Sequence, residues 1–131
     1  MPAEEQSKPV ILAVDDTPEN LDVVKGILAP GHIVRVAING MVALKIAQKQ
    51  SPDLILLDIN MPGMDGYEVC SKLKSDESTA QIPVIFLTAE LDSASKQKGL
   101  ELGAVDYVTK PINPDVLIQS VRSQLDQHQS S

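Results

Sequence analysis

Four polar clusters stand at the ends of apolar runs: Asp15 and Asp16 after ILAV, Asp58 after DLILL, Thr88 after VIFL, and Lys110 with Pro111 after DYVT. Carboxylates in small number ligate hard divalent cations through oxygen. A carboxylate can also attack phosphorus and form an acyl phosphate. A hydroxyl and an ammonium offer hydrogen bonds and positive charge to phosphoryl oxygens. Gathered in one crevice, these residues suit a divalent cation and a phosphoryl group. Three carboxylates crowded together raise one another's pKa values and destabilise a fold unless a cation intervenes. Two consecutive acids are also more than a helix cap requires, although Asp16 could partly serve as one. Asp58 is the candidate nucleophile, with a plainer role as a further metal ligand as the alternative. A lone Thr or Lys is usually solvated or structural, and it is their joint placement at strand ends that marks Thr88 and Lys110.

The elements that must carry these residues alternate along the chain. Residues 10–15 form a short apolar run, and Thr17 with Pro18 provides an N-cap followed by proline at the first helical position. Leu21, Val24, Ile27 and Leu28 recur at helical spacing up to Pro30 and Gly31. A second strand is expected over 33–38 and a helix over 41–50, with Val42, Leu44, Ile46 and Ala47 mostly on one side. Strands follow at 54–59, 83–87 and 106–109, separated by helices starting after Gly66, over about 93–102, and after Asn113 and Pro114. The helix over 93–102 has little to bury, and Leu117, Ile118, Val121 and Leu125 give the last helix a clear stripe. Five βα units with short connections predict an α/β fold: a (βα)5 doubly wound three-layer sandwich around a five-stranded parallel sheet. The flavodoxin-like strand order 2-1-3-4-5 would bring the four polar ends to one carboxyl edge, where open sheets bind ligands. Residues 1–9 and 127–131 read as disordered tails around a single domain over 10–126.

Composition excludes several classes. Hydrophobic residues make up 43% and charged residues 22%, as in an ordinary globular domain. Aromatic residues are only 2% (Tyr67, Phe86 and Tyr107) and the net charge is −7, which argues against direct nucleic-acid binding by stacking or by phosphate neutralisation. Cys70 stands alone and reads as a small buried residue of a reducing, cytoplasmic compartment. No apolar run approaches a membrane span, and the polar start lacks the apolar core of a secretory signal. His32 and His128 lie outside any phosphotransfer motif.

Four motifs in order, VDD at 14–16, LLDINMPGMDG at 56–66, FLTA at 86–89 and GAVDYVTKP at 103–111, closely resemble the receiver domain of bacterial two-component response regulators over residues 10–125. The resemblance implies that Asp58 accepts a phosphoryl group from a phosphohistidine on a partner histidine kinase or phosphotransfer protein. It implies Mg2+ ligated by the Asp16 and Asp58 side chains and the Asn60 backbone carbonyl, with Asp15 reaching the metal through water. Thr88 and Lys110 would hold phosphoryl oxygens, and Lys110-Pro111 stands where the family has a cis peptide. Tyr107 aligns with the family's aromatic switch residue, while its own sequence context equally fits an ordinary half-buried strand tyrosine with a wet hydroxyl. Asn60 and Glu90 flank the approach of water to phosphorus and would set the rate of dephosphorylation, as in chemotaxis-type receivers.

The implied function is a phosphorylation-activated switch that signals to a downstream effector through the surface of the fourth helix, fifth strand and fifth helix. It promotes only its own phosphorylation and dephosphorylation, and the family admits a dimer formed on phosphorylation. The chain reads either as a stand-alone receiver or as an excised piece of a larger regulator. A haloacid dehalogenase-like phosphohydrolase is the rival enzyme class, and it needs a general acid two residues past the nucleophile. That position is Asn60, whose amide cannot donate the proton.

Overall fold

Runs of Val, Ile and Leu suit a pleated sheet buried on both faces, and the helical repeats between them supply the covering layers. The computed structural model describes residues 8–89 and 93–129. Its elements are β1 (Val10–Val14), α1 (Pro18–Leu28), β2 (Ile33–Ala37), α2 (Gly40–Gln50), β3 (Leu54–Asp58), α3 (Gly66–Ser75), β4 (Val84–Thr88), α4 (Ser93–Glu101), β5 (Asp106–Thr109) and α5 (Pro114–Gln129). The strands pair in parallel as one sheet of order β2-β1-β3-β4-β5, the doubly wound arrangement expected from the sequence.

Successive strand residues point to opposite faces, so each strand contributes to two cores. Leu12, Val14, Ile55, Leu57 and Phe86 pack with Ala43 and Ala47 of α2 and with Val69 and Leu73 of α3. Ile11, Ala13, Leu56, Ile85 and Leu87 pack with Leu21, Val24 and Leu28 of α1 and with Leu117, Val121 and Leu125 of α5. All five residues of β3 and of β4 are buried. At the edge, β2 leaves Ile33 and Val36 exposed.

The expected face of α2 holds in part: Ala47 is buried and Leu44 and Ile46 pack partly buried against the core, but Val42 lies 37% exposed and Gly40 and Ala43 join the inner side. The helix approaches α3 so closely that a Cβ at Gly40 would come within 2.6 Å of Val69 Cγ2, so small residues take the inner positions. Strand β4 begins one residue later than expected and includes Thr88 as its last residue. Helical backbone in α5 continues to Gln129, past Asp126 where the sequence placed the end of the domain. None of the helices among the described residues is long and apolar enough to cross a membrane.

Residues 76–82, for which the sequence offered no role, close the end of α3. Thr79 is buried and its Oγ1 donates to the Leu73 carbonyl at 2.6 Å. Lys74 Nζ donates to the Ala80 and Ile82 carbonyls at 3.0 and 2.7 Å, and burial pulls its pKa down. Removing a donor strands acceptors that water reaches poorly. Lys74→Met is therefore expected to cost about 1.5–3 kcal/mol, and the near-isosteric Thr79→Val about 1 kcal/mol. Urea unfolding of the two variants measures both, and losses near zero would show that these bonds do not hold the loop.

Candidate functional site

Parallel pairing brings the carboxyl ends of β1, β3, β4 and β5 side by side. The register sets Asp58 against Leu87 and Thr88 against Thr109. The backbone ladder continues past the strand ends. Asp15 N–H donates to the Ala37 carbonyl at 3.1 Å, Ile59 N–H to the Leu87 carbonyl at 3.3 Å, and Lys110 N–H to the Thr88 carbonyl at 2.8 Å. The polar residues thus stand on sheet backbone rather than on free loops.

Asp15, Asp58 and Thr88 are all 2–3% exposed, whereas Asp16 is exposed. Lys110 Nζ donates to Asp58 Oδ1 at 3.1 Å and to Asp15 Oδ2 at 3.2 Å. Carboxylate oxygens of Asp15, Asp16 and Asp58 lie within 4.8 Å of one another. Burial pushes the Asp58 carboxyl above its ordinary value, and the charge of Asp15 pushes the same way; the Lys110 ammonium and the Asn60 amide oppose them without prevailing. Burial alone would lower the pKa of Lys110, but its bonds to Asp58 and Asp15 carry it upward. The ammonium therefore stays charged between two carboxylates, and hard oxygens in this number suit a cation such as Mg2+.

Local structure shapes the mouth of the site. The Lys110–Pro111 peptide is cis. Asn60 is exposed in the loop after β3. That loop folds back so tightly that Gly66 N–H reaches the Ile59 carbonyl at 2.8 Å. A Cβ at Gly66 would collide with the Asp58 carbonyl oxygen and lie 2.7 Å from Ile59 Cα, so glycine is required for the approach. Two supports of Asp15 were not foreseen. Thr17 N–H donates to Asp15 Oδ1 at 2.9 Å, and Asn20 Nδ2 to Asp15 Oδ2 at 3.2 Å. Asn20 follows Asp15 by five residues, across the turn into α1, so no periodic spacing marks it. The Thr17 side chain makes no cap, contrary to expectation. Glu90 lies outside the described residues.

Tyr107 sits beneath α4. Its ring stacks at a tilt on Phe86, with centroids 5.6 Å apart, and Phe86 meets Tyr67 edge-on at 5.4 Å. Its hydroxyl is not left to solvent: it donates to the Lys96 carbonyl at 2.9 Å. Burial, and then the neighbouring Tyr67, push its pKa up, while the Gly99 amide opposes them.

Comparison with known proteins agrees with this geometry. The family model described as the response regulator receiver domain matches residues 11–122. A probable cyclic di-GMP phosphodiesterase of Vibrio cholerae is 43% identical over 99% of this chain, which spans 30% of that relative's length. Protein PilH of Pseudomonas aeruginosa is 36% identical over 88% of this chain and 96% of its own. The crystal structure of the Vibrio cholerae chemotaxis protein CheY4 superposes with a TM-score of 0.86 at 33% identity, covering 89% of this chain and 98% of that one. With the receiver model spanning nearly the whole sheet and an acidic crevice at its carboxyl edge, the chain belongs to the response regulator receiver domain family.

Proposed function

We propose that Asp58 accepts a phosphoryl group from a phosphohistidine of a histidine kinase or phosphotransfer protein and that the chain is thereby switched. The observation that carries this reading is the buried Asp58 carboxylate hydrogen-bonded to Lys110, with Asp15 and Asp16 beside it. An Asp58 oxygen forms the new bond to phosphorus as the P–N bond breaks, and the departing imidazole nitrogen keeps the electron pair and takes up a proton. Lys110, already placed at Asp58, holds a phosphoryl oxygen, and Thr88 at the neighbouring strand end donates its hydroxyl to another. Asp15, Asp16, Asp58 and the Asn60 carbonyl would hold Mg2+. When bound, the cation offsets the charge that accumulates on the phosphoryl oxygens. Asn60 stands at the exposed mouth of the site, where it meets the water that later removes the phosphoryl group.

The chain acts on itself and turns over no separate substrate in this reading, because Asn60 supplies no general acid for a phosphohydrolase cycle. A cytoplasmic site fits a kinase-driven relay. The altered surface would be α4, β5 and α5, read by a downstream effector, and a dimer formed on phosphorylation would use the same surface. A second reading, a receiver segment of a larger regulator, is supported by the 30% span of the phosphodiesterase relative.

Labelled acetyl phosphate tests the acceptor role. Wild type is expected to incorporate label only with Mg2+, and Asp58→Asn to incorporate none. Equal label in the variant, or in excess chelator, overturns the assignment.

Melting tests the electrostatics. The Asp58 carboxyl titrates higher in the fold than in the unfolded chain, where its ordinary value is 3.8. In the window above 3.8 the unfolded chain binds fewer protons, so the charged side chain costs stability as pH rises through the folded-state value. Without metal, Asp58→Asn should therefore melt above wild type at neutral pH, and the gap should close as pH falls toward 4. Mg2+ at 100 times its Kd should stabilise wild type by about 2.7 kcal/mol. A wild-type melt indifferent to millimolar Mg2+ would rule out the metal site.

A further inference from the structure

Helix α4 carries a glycine in its interior, Gly99, where glycine normally weakens a helix relative to alanine. The residue is buried, and the space above its Cα is already taken. A Cβ there would fall on the Tyr107 hydroxyl and lie 2.8 Å from both Tyr107 Cζ and Phe86 Cε2. Phe86 is fully buried and held between Tyr67 and Tyr107, so it has little freedom to give way. Tyr107 is different: it lies on the edge strand β5, and its ring can leave by rotating about χ1. Beside it lies a groove of about 370 Å3 lined by Asp106, Val116, Gln119 and Ser120.

We propose that Gly99 is the positioning residue for Tyr107: the missing side chain houses the phenol hydroxyl, so the inward ring and the seat of α4 on the sheet form one contact. The hydroxyl donates to Lys96, in the same helix turn as Gly99. Withdrawing the ring therefore breaks a bond to α4 and empties the space beneath it. Any side chain at residue 99 shifts the ring outward into the groove between β5 and α5. The displacement needs no phosphoryl donor. Its consequence for signalling rests on the function proposed above, since that groove lies on the surface offered to an effector.

The chain has two tyrosines and no tryptophan, so Tyr67→Phe leaves Tyr107 as the sole tyrosine, excited selectively above the phenylalanine band, while keeping a ring against Phe86. In that background, acrylamide quenching of Tyr107 is expected to be weak, and Gly99→Ala should raise it toward that of N-acetyltyrosinamide. In a Tyr107→Ala background, where Phe86 gains room, Gly99→Ala should hold or raise Tm, because alanine favours helix. Unchanged quenching overturns the proposal, as does an equal loss of Tm in both backgrounds. Should Gly99→Ala alone not fold, the double variant must still fold and melt at or above Tyr107→Ala, and its failure to do so is also contradictory. Asp58 labelling in the same proteins is a separate readout: its absence would count against the acceptor role and leave the ring position intact.

Discussion

One ammonium between two buried carboxylates is the constraint on which the rest of the molecule depends. Lys110 Nζ lies 3.1 Å from Asp58 and 3.2 Å from Asp15, both almost fully withdrawn from water. Unit charges about 4 Å apart interact by about 4 kcal/mol at the effective dielectric of a protein near its surface. Leaving one partner of such a group uncompensated costs several kcal/mol. A single lysine cannot neutralise two carboxylates, and Asp16 adds a third. The site is therefore held together with an excess of negative charge, the electrostatic condition for recruiting a divalent cation. The upward displacement of the Asp58 carboxyl comes first from its burial, which the Lys110 ammonium opposes and the Asp15 charge reinforces.

Such crowding persists only if the backbone does not yield. Asp15, Asp58, Thr88 and Lys110 are each tied to sheet backbone at their own position or the next, and the loop after β3 is drawn over Asp58 by Gly66. Sites on rigid elements hold geometry better than sites on loops. The same sheet links the acidic crevice to the aromatic row of Tyr67, Phe86 and Tyr107, because Thr88 and Phe86 belong to β4 and Tyr107 and Thr109 to β5. A change at the carboxyl edge is thus two strand residues from the ring beneath α4.

The sequence showed the strands and their polar ends because buried parallel strands are short unbroken apolar runs, and few other patterns resemble them. Strand order came from the doubly wound topology rather than from any residue. The inner face of α2 was legible in Ala47, Leu44 and Ile46 but not in Gly40 and Ala43, because large apolar side chains usually mark the core and here close approach to α3 favours small residues. Asn20 escaped notice because its contact with Asp15 depends on where the first turns of α1 land, and the bonds of Lys74 and Thr79 depend on how the following loop folds back. The placement of the Tyr107 hydroxyl in α4 was equally hidden, since only the packed helix shows what the gap at Gly99 contains.

The electrostatic balance at the carboxyl edge is open to a direct measurement: calorimetric titration of Mg2+ into wild type and Lys110→Ala. Lys110 and the metal draw on the same Asp15 and Asp58 oxygens, so removing the ammonium should tighten Mg2+ binding. Unchanged or weaker binding in the variant would contradict the view that the lysine and the metal compete for one cluster of carboxylates carrying excess negative charge.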